Sequence, residues 1–235
     1  MIRRGRGCYD GCQVGNRQLI RGIIFDFDGT LIDSYEAIAE SLNHVRAFFS
    51  LPAFPTEEVR PMVGHGLEHL IATAIGPERV DEGVRLFRQS YAGICEHKTT
   101  VLPQVKETLD TLDRRGYQMA IASNKPSYFA RDILRALEFD HLFAEVLGPN
   151  DVERPKPDPE MLEIIIMRIG LSPEEVVYVG DMPLDVEVGR RAGVAVYAVH
   201  TGSASREDLL QARPDRLLHR FSDLTTFLPS LSGAR

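Results

Sequence analysis

In the stretch Ile23-Ile24-Phe25-Asp26-Phe27-Asp28-Gly29-Thr30-Leu31-Ile32-Asp33-Ser34, three apolar residues lead into two carboxylates spaced one residue apart. Ile23, Ile24 and Phe25 form the short uninterrupted apolar run of a strand buried on both faces. Side chains repeat every second residue along a strand, so the spacing predicts that Asp26 and Asp28 leave on the same side. Two adjacent carboxylates raise each other's pKa unless positive charge lies between them. A divalent cation that prefers oxygen ligands, most naturally Mg²⁺, meets that need. An acidic turn after a strand is often only solvated. Here it ends a buried strand and runs into Gly29 and the hydroxyl of Thr30, which points to a site.

Beyond Ser34 the periodicity changes. Ala37, Ile38, Leu42, Val45, Phe48 and Phe49 recur at three- and four-residue steps, predicting a helix that Ser34 caps and Pro52 and Pro55 end. Further helical patterns cover residues 56–63, 67–75 and 77–97, and no strand pattern interrupts residues 34–98. That block is too long for one connection between a strand and a helix and reads as an inserted all-helical module. From Leu102 onward, strand patterns at 118–122, 143–147, 176–179 and 194–199 alternate with helical patterns at 105–114, 129–137, 157–169, 186–192 and 207–212. A short strand and helix follow. This alternation implies right-handed crossovers and an α/β fold with a doubly wound parallel sheet.

The 235 residues suit one large α/β unit carrying an insertion, and the 43% hydrophobic and 26% charged fractions are those of an ordinary globular chain. A formal net charge of −7 disfavours general binding to nucleic acid or to a membrane surface. An anionic ligand must therefore be drawn in by a local positive cluster. No apolar run reaches the ~18 residues of a transmembrane helix. Cys8, Cys12 and Cys95 make no disulfide framework, so a cytoplasmic location is expected. Residues 1–21 are rich in arginine and glycine without an apolar segment or helical period, and read as a disordered extension whose Cys8 and Cys12 are free thiols.

In a doubly wound sheet the ligand site lies at the carboxyl ends of the strands. There the pattern delivers Asp26, Asp28 and Thr30, then Ser123 and Asn124, then Asp181 with Asp185 one turn into the next helix. Lys156 lies in Arg-Pro-Lys-Pro-Asp-Pro, a stiff loop that limits where its side chain points. Each has a plainer reading: Ser123 as a helix cap, Lys156 as a surface lysine, Asp185 as the cap of its own helix.

Together, Asp-Phe-Asp-Gly-Thr-Leu-Ile-Asp-Ser, Ser-Asn-Lys, Arg-Pro-Lys-Pro-Asp-Pro and Gly-Asp-Met-Pro-Leu-Asp resemble, in order, the four motifs of the haloacid dehalogenase superfamily. The resemblance runs from about Gly22 to the end, and the helical module matches the superfamily's C1-type cap. It implies a catalytic core at 22–33 and 99–235 and a cap domain at 34–98. It also implies Asp26 as the nucleophile that carries an aspartyl-phosphate, and Asp28 as acid and then base. Mg²⁺ would be held by Asp26, Asp28 through its backbone carbonyl, Asp181 and Asp185. Gly29, Thr30, Ser123, Asn124 and Lys156 would hold the phosphoryl oxygens.

Dehalogenases of this superfamily lack the second carboxylate, so Asp28 argues against that activity. Phosphonoacetaldehyde hydrolases use a cap lysine, and none stands between Asp33 and Lys98. The cap run Val63-Gly64-His65-Gly66-Leu67-Glu68-His69-Leu70 is similar to one in phosphoglycolate phosphatases, although Val101-Leu102-Pro103-Gln104-Val105 departs from that family's usual return to the core. The expectation is a phosphatase acting on a small phosphorylated metabolite such as 2-phosphoglycolate, with Arg60 or His65 as the cap cation for its carboxylate. A pyrophosphatase, a sugar phosphomutase and a non-catalytic phospholigand-binding protein are the alternatives.

Overall fold

The computed structural model describes residues 19–231. The chain opens with β1 (Gly22–Phe25) and the short β2 (Ile32–Asp33), followed by helices α1 (Tyr35–Phe48), α2 (Thr56–Val59), α3 (Leu67–Ile75) and α4 (Val80–Ala92). It returns through β3 (Thr100–Val101) to α5 (Val105–Arg114), β4 (Gln118–Ala122), α6 (Ser127–Ala136), β5 (Glu145–Leu147) and α7 (Glu160–Ile169). Then come β6 (Val176–Gly180), α8 (Pro183–Ala192), β7 (Ala195–Val199), α9 (Arg206–Ala212), β8 (Arg216–Leu218) and α10 (Leu224–Phe227).

Six strands form one sheet in the order β5-β4-β1-β6-β7-β8, and every pairing in it is parallel. The chain builds outward from β1 in one direction through β4 and β5. It then crosses back to β6 and builds the other way, so the order reverses beside β1. That reversal opens a crevice at the carboxyl ends of β1 and β6.

The apolar run of β1 divides between the two faces as a doubly covered strand must. Ile23 and Phe25 pack with Leu109, Phe129 and Ile133 of α5 and α6, whereas Ile24 packs with Met161, Ile165 and Val188 of α7 and α8. All three are fully buried, each contributing about 1.5–3 kcal/mol. The ladder begins one residue before β1, at the end of the expected extension. Arg21 N donates to Glu175 O (2.7 Å) and Arg21 O accepts from Gln118 N (3.0 Å). Residues 1–18 of that extension, with Cys8 and Cys12, lie outside the described residues.

Between Ser34 and Lys98 the described residues contain helices and no strand. α1 packs against α4, and α3 against both. Two helical patterns are shorter than their periodicity suggests. Residues 56–63 divide into α2 and a 3₁₀ turn, Arg60–Met62, where Pro61 supplies no N–H. Residues 77–97 begin as a proline-led 3₁₀ turn, Pro77–Arg79, and the α-helix ends at Ala92. The antiparallel pair β2–β3 joins the two chain crossings into this helical segment, with Leu102 N donating to Leu31 O at 3.1 Å. Two residues per strand leave no readable period.

Candidate active site

Asp26 follows β1 directly, and its N–H donates to Val179 O at 2.8 Å, one step beyond the strand. The backbone then folds tightly. Phe27 O accepts from Leu31 N (2.9 Å), and Gly29 N donates to Ile32 O (2.8 Å). Gly29 has φ +82°, and a Cβ there would sit 2.7 Å from Asp181 Oδ2 and from the Tyr35 hydroxyl. Glycine is required on both counts.

The two carboxylates on this loop line one cavity but take different partners. The strand ends at Phe25, so the two-residue alternation no longer governs Asp28. Its carboxylate accepts from the Ser34 hydroxyl and pairs with Lys125 Nζ at 3.1 Å. A different trio converges. One oxygen each from Asp26, Asp181 and Asp185, all buried, lie within 4.8 Å of one another. Asp26, Asp181 and Asp185 supply the carboxylates of the expected metal set, in which Asp28 is expected through its backbone carbonyl and not its side chain. Three hard oxygen donors in one buried space suit a divalent cation.

Lys156 anchors this trio from below. Its ammonium donates to Asp26 Oδ1 (2.8 Å), Asp185 Oδ1 (2.9 Å) and the Tyr178 hydroxyl (2.8 Å), which uses all three of its protons. The Lys156 loop is stiffened by its own contacts, with Arg154 paired to Asp158 (3.0 Å) and Asp158 N donating to Pro155 O (3.0 Å). Asp185 also accepts from Met182 N at 3.0 Å, so it caps α8 and faces the site at once. Asp181 accepts from Thr30 Oγ1 at 2.8 Å.

The electrostatics are strained. Burial pushes the Asp26 carboxyl up to about 6, against the pull of Lys156 and with the push of Asp185 and Asp28. Burial, then Asp26 and Asp185, hold Asp181 well above the usual carboxylate range. Burial disfavours the charge on Lys156, but Asp185 and Asp26 outweigh it and raise its pKa. One lysine does not neutralise three carboxylates, and a divalent cation would.

On the other side of Asp26 and Asp28 lies a cavity of about 70 Å³, room for roughly five water molecules. Ser123, Asn124 and Lys125, which follow β4, line its polar side, and Ile38, Val63, Leu67, Leu70, Phe87 and Tyr91 roof it from the helical segment. Asn124 Nδ2 donates to Gly64 O (3.0 Å) and to Lys156 O (3.3 Å), tying the roof to the sheet edge. Its Oδ1 is buried without a partner. Gly64 has φ +115°, and a Cβ there would run into the Met182 sulfur.

The structure brings Asp26, Asp28, Thr30, Ser123, Asn124, Lys156, Asp181 and Asp185 to one rim, with Gly29 in the turn between them. It does not bring Arg60 or His65 to the cavity. Arg60 pairs with Asp33 (3.3 Å) and lies over the Tyr35 ring (4.0 Å). The His65 ring stands 5.3 Å from that of His69 and faces a separate groove beside Met182 and Ser203. Ser34 makes no side-chain cap for α1, because its hydroxyl serves Asp28. Nor does Ser123 cap α6; Ser127 N donates to Asn150 Oδ1 at 2.8 Å instead.

Lys125, Tyr91 and Tyr178 were not legible as site residues. Lys125 follows Ser123-Asn124 directly, and that adjacency was the available signal. Tyr91 and Tyr178 sit in apolar patterns that periodicity assigns to core.

A model of haloacid dehalogenase-like hydrolases matches residues 23–199. The chain is 32% identical over 216 residues to a phosphoglycolate phosphatase of Pasteurella multocida, covering 87% of this chain and 96% of the relative. It is 33% identical over 215 residues to one of Haemophilus influenzae, with the same coverage. The crystal structure of a predicted phosphoglycolate phosphatase from Haemophilus somnus superposes with a TM-score of 0.81 at 28% identity, covering 89% of this chain and 98% of that one. With the family's matched span taking in the buried acid trio, Lys156 and the parallel sheet that positions them, this chain belongs to the haloacid dehalogenase-like hydrolases.

Proposed function

We propose that the protein is a Mg²⁺-dependent phosphatase that hydrolyses a small phosphomonoester, 2-phosphoglycolate, through an aspartyl-phosphate on Asp26. The observation that carries this reading is the division of labour between the two aspartates. Asp26 shares buried space with Asp181, Asp185 and Lys156, while Asp28, which lines the same cavity, is bound by Ser34 and Lys125.

Asp26 attacks phosphorus, and the oxygen–phosphorus bond to the leaving group breaks as the new bond forms. Lys156, fixed by Asp185 and Tyr178, orients the Asp26 carboxylate and lends positive charge beside it. Asp28 gives its proton to the departing oxygen, then takes one from the water that opens the acyl-phosphate. Ser123 holds the transferring group from the cavity side, together with backbone N–H groups of the turn before Gly29 and of Asn124. Asp26, Asp181, Asp185 and the Asp28 carbonyl would hold Mg²⁺, which supplies charge neutralisation at the phosphoryl oxygens.

In this reading residues 34–98 are a cap over a core formed by 22–33 and 99–235, and cap closure excludes water from the small cavity. The phosphatase relatives support a small phosphorylated metabolite as substrate. No helix among the described residues is long and apolar enough to cross a membrane. Cys95 is a free, buried thiol, which accords with a cytoplasmic setting.

The test is phosphate release with Mg²⁺ from 2-phosphoglycolate beside sugar phosphates, nucleotides and pyrophosphate. The reading expects preference for 2-phosphoglycolate. Preference for pyrophosphate, or slow net hydrolysis with isomerisation of a sugar phosphate, would replace it with one of the two sister activities. Inactivity on the whole panel would favour a non-catalytic ligand binder.

A further inference from the structure

Among the described residues, the charged side chains that line the cavity are Asp26, Asp28 and Lys125. Any negative charge on the leaving group therefore has one cation to meet inside it. The two cap candidates, Arg60 and His65, are turned elsewhere. The remaining wall is largely apolar, with Ile38, Leu67, Phe87 and Phe129, and an unpaired anion against such a surface carries a heavy desolvation cost.

Lys125 is built for the purpose. It is buried, and its ammonium donates to the Tyr91 hydroxyl at 2.7 Å and pairs with Asp28 Oδ2 at 3.1 Å. An ammonium has three donors and no acceptor, so one proton remains for a ligand. Tyr91 accepts from Lys125, which leaves its own O–H free to donate. The Tyr91 ring is locked by stacking on Phe87 (5.3 Å between centroids) and by an edge contact with Phe129 (5.0 Å). Two donors, one charged, thus converge next to the aspartate assigned to the leaving oxygen.

We infer that Lys125 and the Tyr91 hydroxyl form the receptor for a carboxylate on the leaving group, and so select phosphoesters of small 2-hydroxy acids. The inference rests on the phosphatase reading above and names the residues that give it its substrate. In such an ester the carboxylate stands one carbon from the leaving oxygen. A leaving oxygen at Asp28 therefore brings the carboxylate beside Lys125. Tyr91 belongs to the helical segment and Lys125 to the sheet edge, so the receptor is complete only when the two are together.

The test compares kcat/KM for 2-phosphoglycolate with that for 2-hydroxyethyl phosphate, an analogue of similar size with an uncharged hydroxymethyl group in place of the carboxylate, in the wild type, Lys125→Met and Tyr91→Phe. Because Lys125 also touches Asp28, both rates will fall in Lys125→Met, and the ratio is the readout. Loss of one charge-assisted contact should lower the preference for 2-phosphoglycolate about tenfold to a hundredfold. Tyr91→Phe, which keeps the ring on Phe87, should lower it several-fold and carries the comparison if Lys125→Met does not fold. A wild-type preference that survives both substitutions overturns the inference and leaves the phosphatase reading standing. Absence of any preference in the wild type overturns the 2-phosphoglycolate reading itself and the receptor with it.

Discussion

At the scale of single residues, the trio of Asp26, Asp181 and Asp185 holds more negative charge than Lys156 offsets. A carboxyl whose folded pKa is raised weakens the fold when ionised. For Asp26 the penalty is absent below its ordinary value of 3.8 and complete above about 6. The shift corresponds to roughly 3 kcal/mol. Without metal, Asp26→Asn should therefore be more stable than the wild type by up to that amount at pH 7. Its advantage should vanish as the pH falls through the same window, as denaturant titrations at pH 4 and pH 7 would show. Added Mg²⁺ should raise the wild-type Tm more than that of the variant; a variant less stable than the metal-free wild type at pH 7 would refute the electrostatic account. Lys156→Ala acts in the opposite sense. It strips the counter-charge from two buried carboxylates and should cost about 3–5 kcal/mol by chemical denaturation. A loss near zero would mean that the ammonium does not hold them.

At the scale of elements, β1, the alternation after Leu102 and the helical insertion were legible because each has a strong local period. The sheet faces confirm this, with Ile23 and Phe25 on one and Ile24 on the other. What periodicity could not supply was the path of the chain after a strand ends. Asp26 meets Lys156 while Asp28 meets Ser34 and Lys125 because the backbone turns after Phe27, a turn that Gly29 permits against Asp181, 152 positions away in sequence. Arg60 and His65 were read from charge alone, and neither charge nor spacing reveals that Asp33 already holds Arg60. The junction between the helical segment and the sheet edge rests on Gly64, whose carbonyl accepts from Asn124 and whose missing Cβ admits Met182. Gly64→Ala adds both a strained backbone angle and a clash. It should lower kcat/KM at least tenfold with a Tm change of only a few degrees, because the sheet core is untouched. Wild-type kinetics would show that this contact is not part of the working state.

At the scale of the whole molecule, the reversal of strand order beside β1 puts Asp26 and Asp181 just past the ends of neighbouring strands, and the insertion after β2 brings an apolar roof over the cavity that Asp26 lines. A net charge of −7 means that the protein's general field repels a phosphorylated acid, so attraction must come from Lys125 and Lys156 at short range. Short-range attraction in a buried site is screened less than a surface field. Raising the salt concentration from 0.05 M to 0.5 M with Mg²⁺ held constant should then change KM by less than about twofold. A steep rise in KM with salt would point to steering by surface charge instead. The central claim is that Asp26 carries the phosphoryl group. Its most direct test is the intact mass of the Asp28→Asn variant, quenched in acid after mixing with 2-phosphoglycolate and Mg²⁺, followed by mapping of the modified peptide. The account predicts one added phosphoryl group on the peptide containing Asp26, absent when Asp26→Asn is combined with the first change. Hydrolysis by the wild type with no phosphorylated peptide under any quench, or a phosphoryl group on another residue, would contradict it.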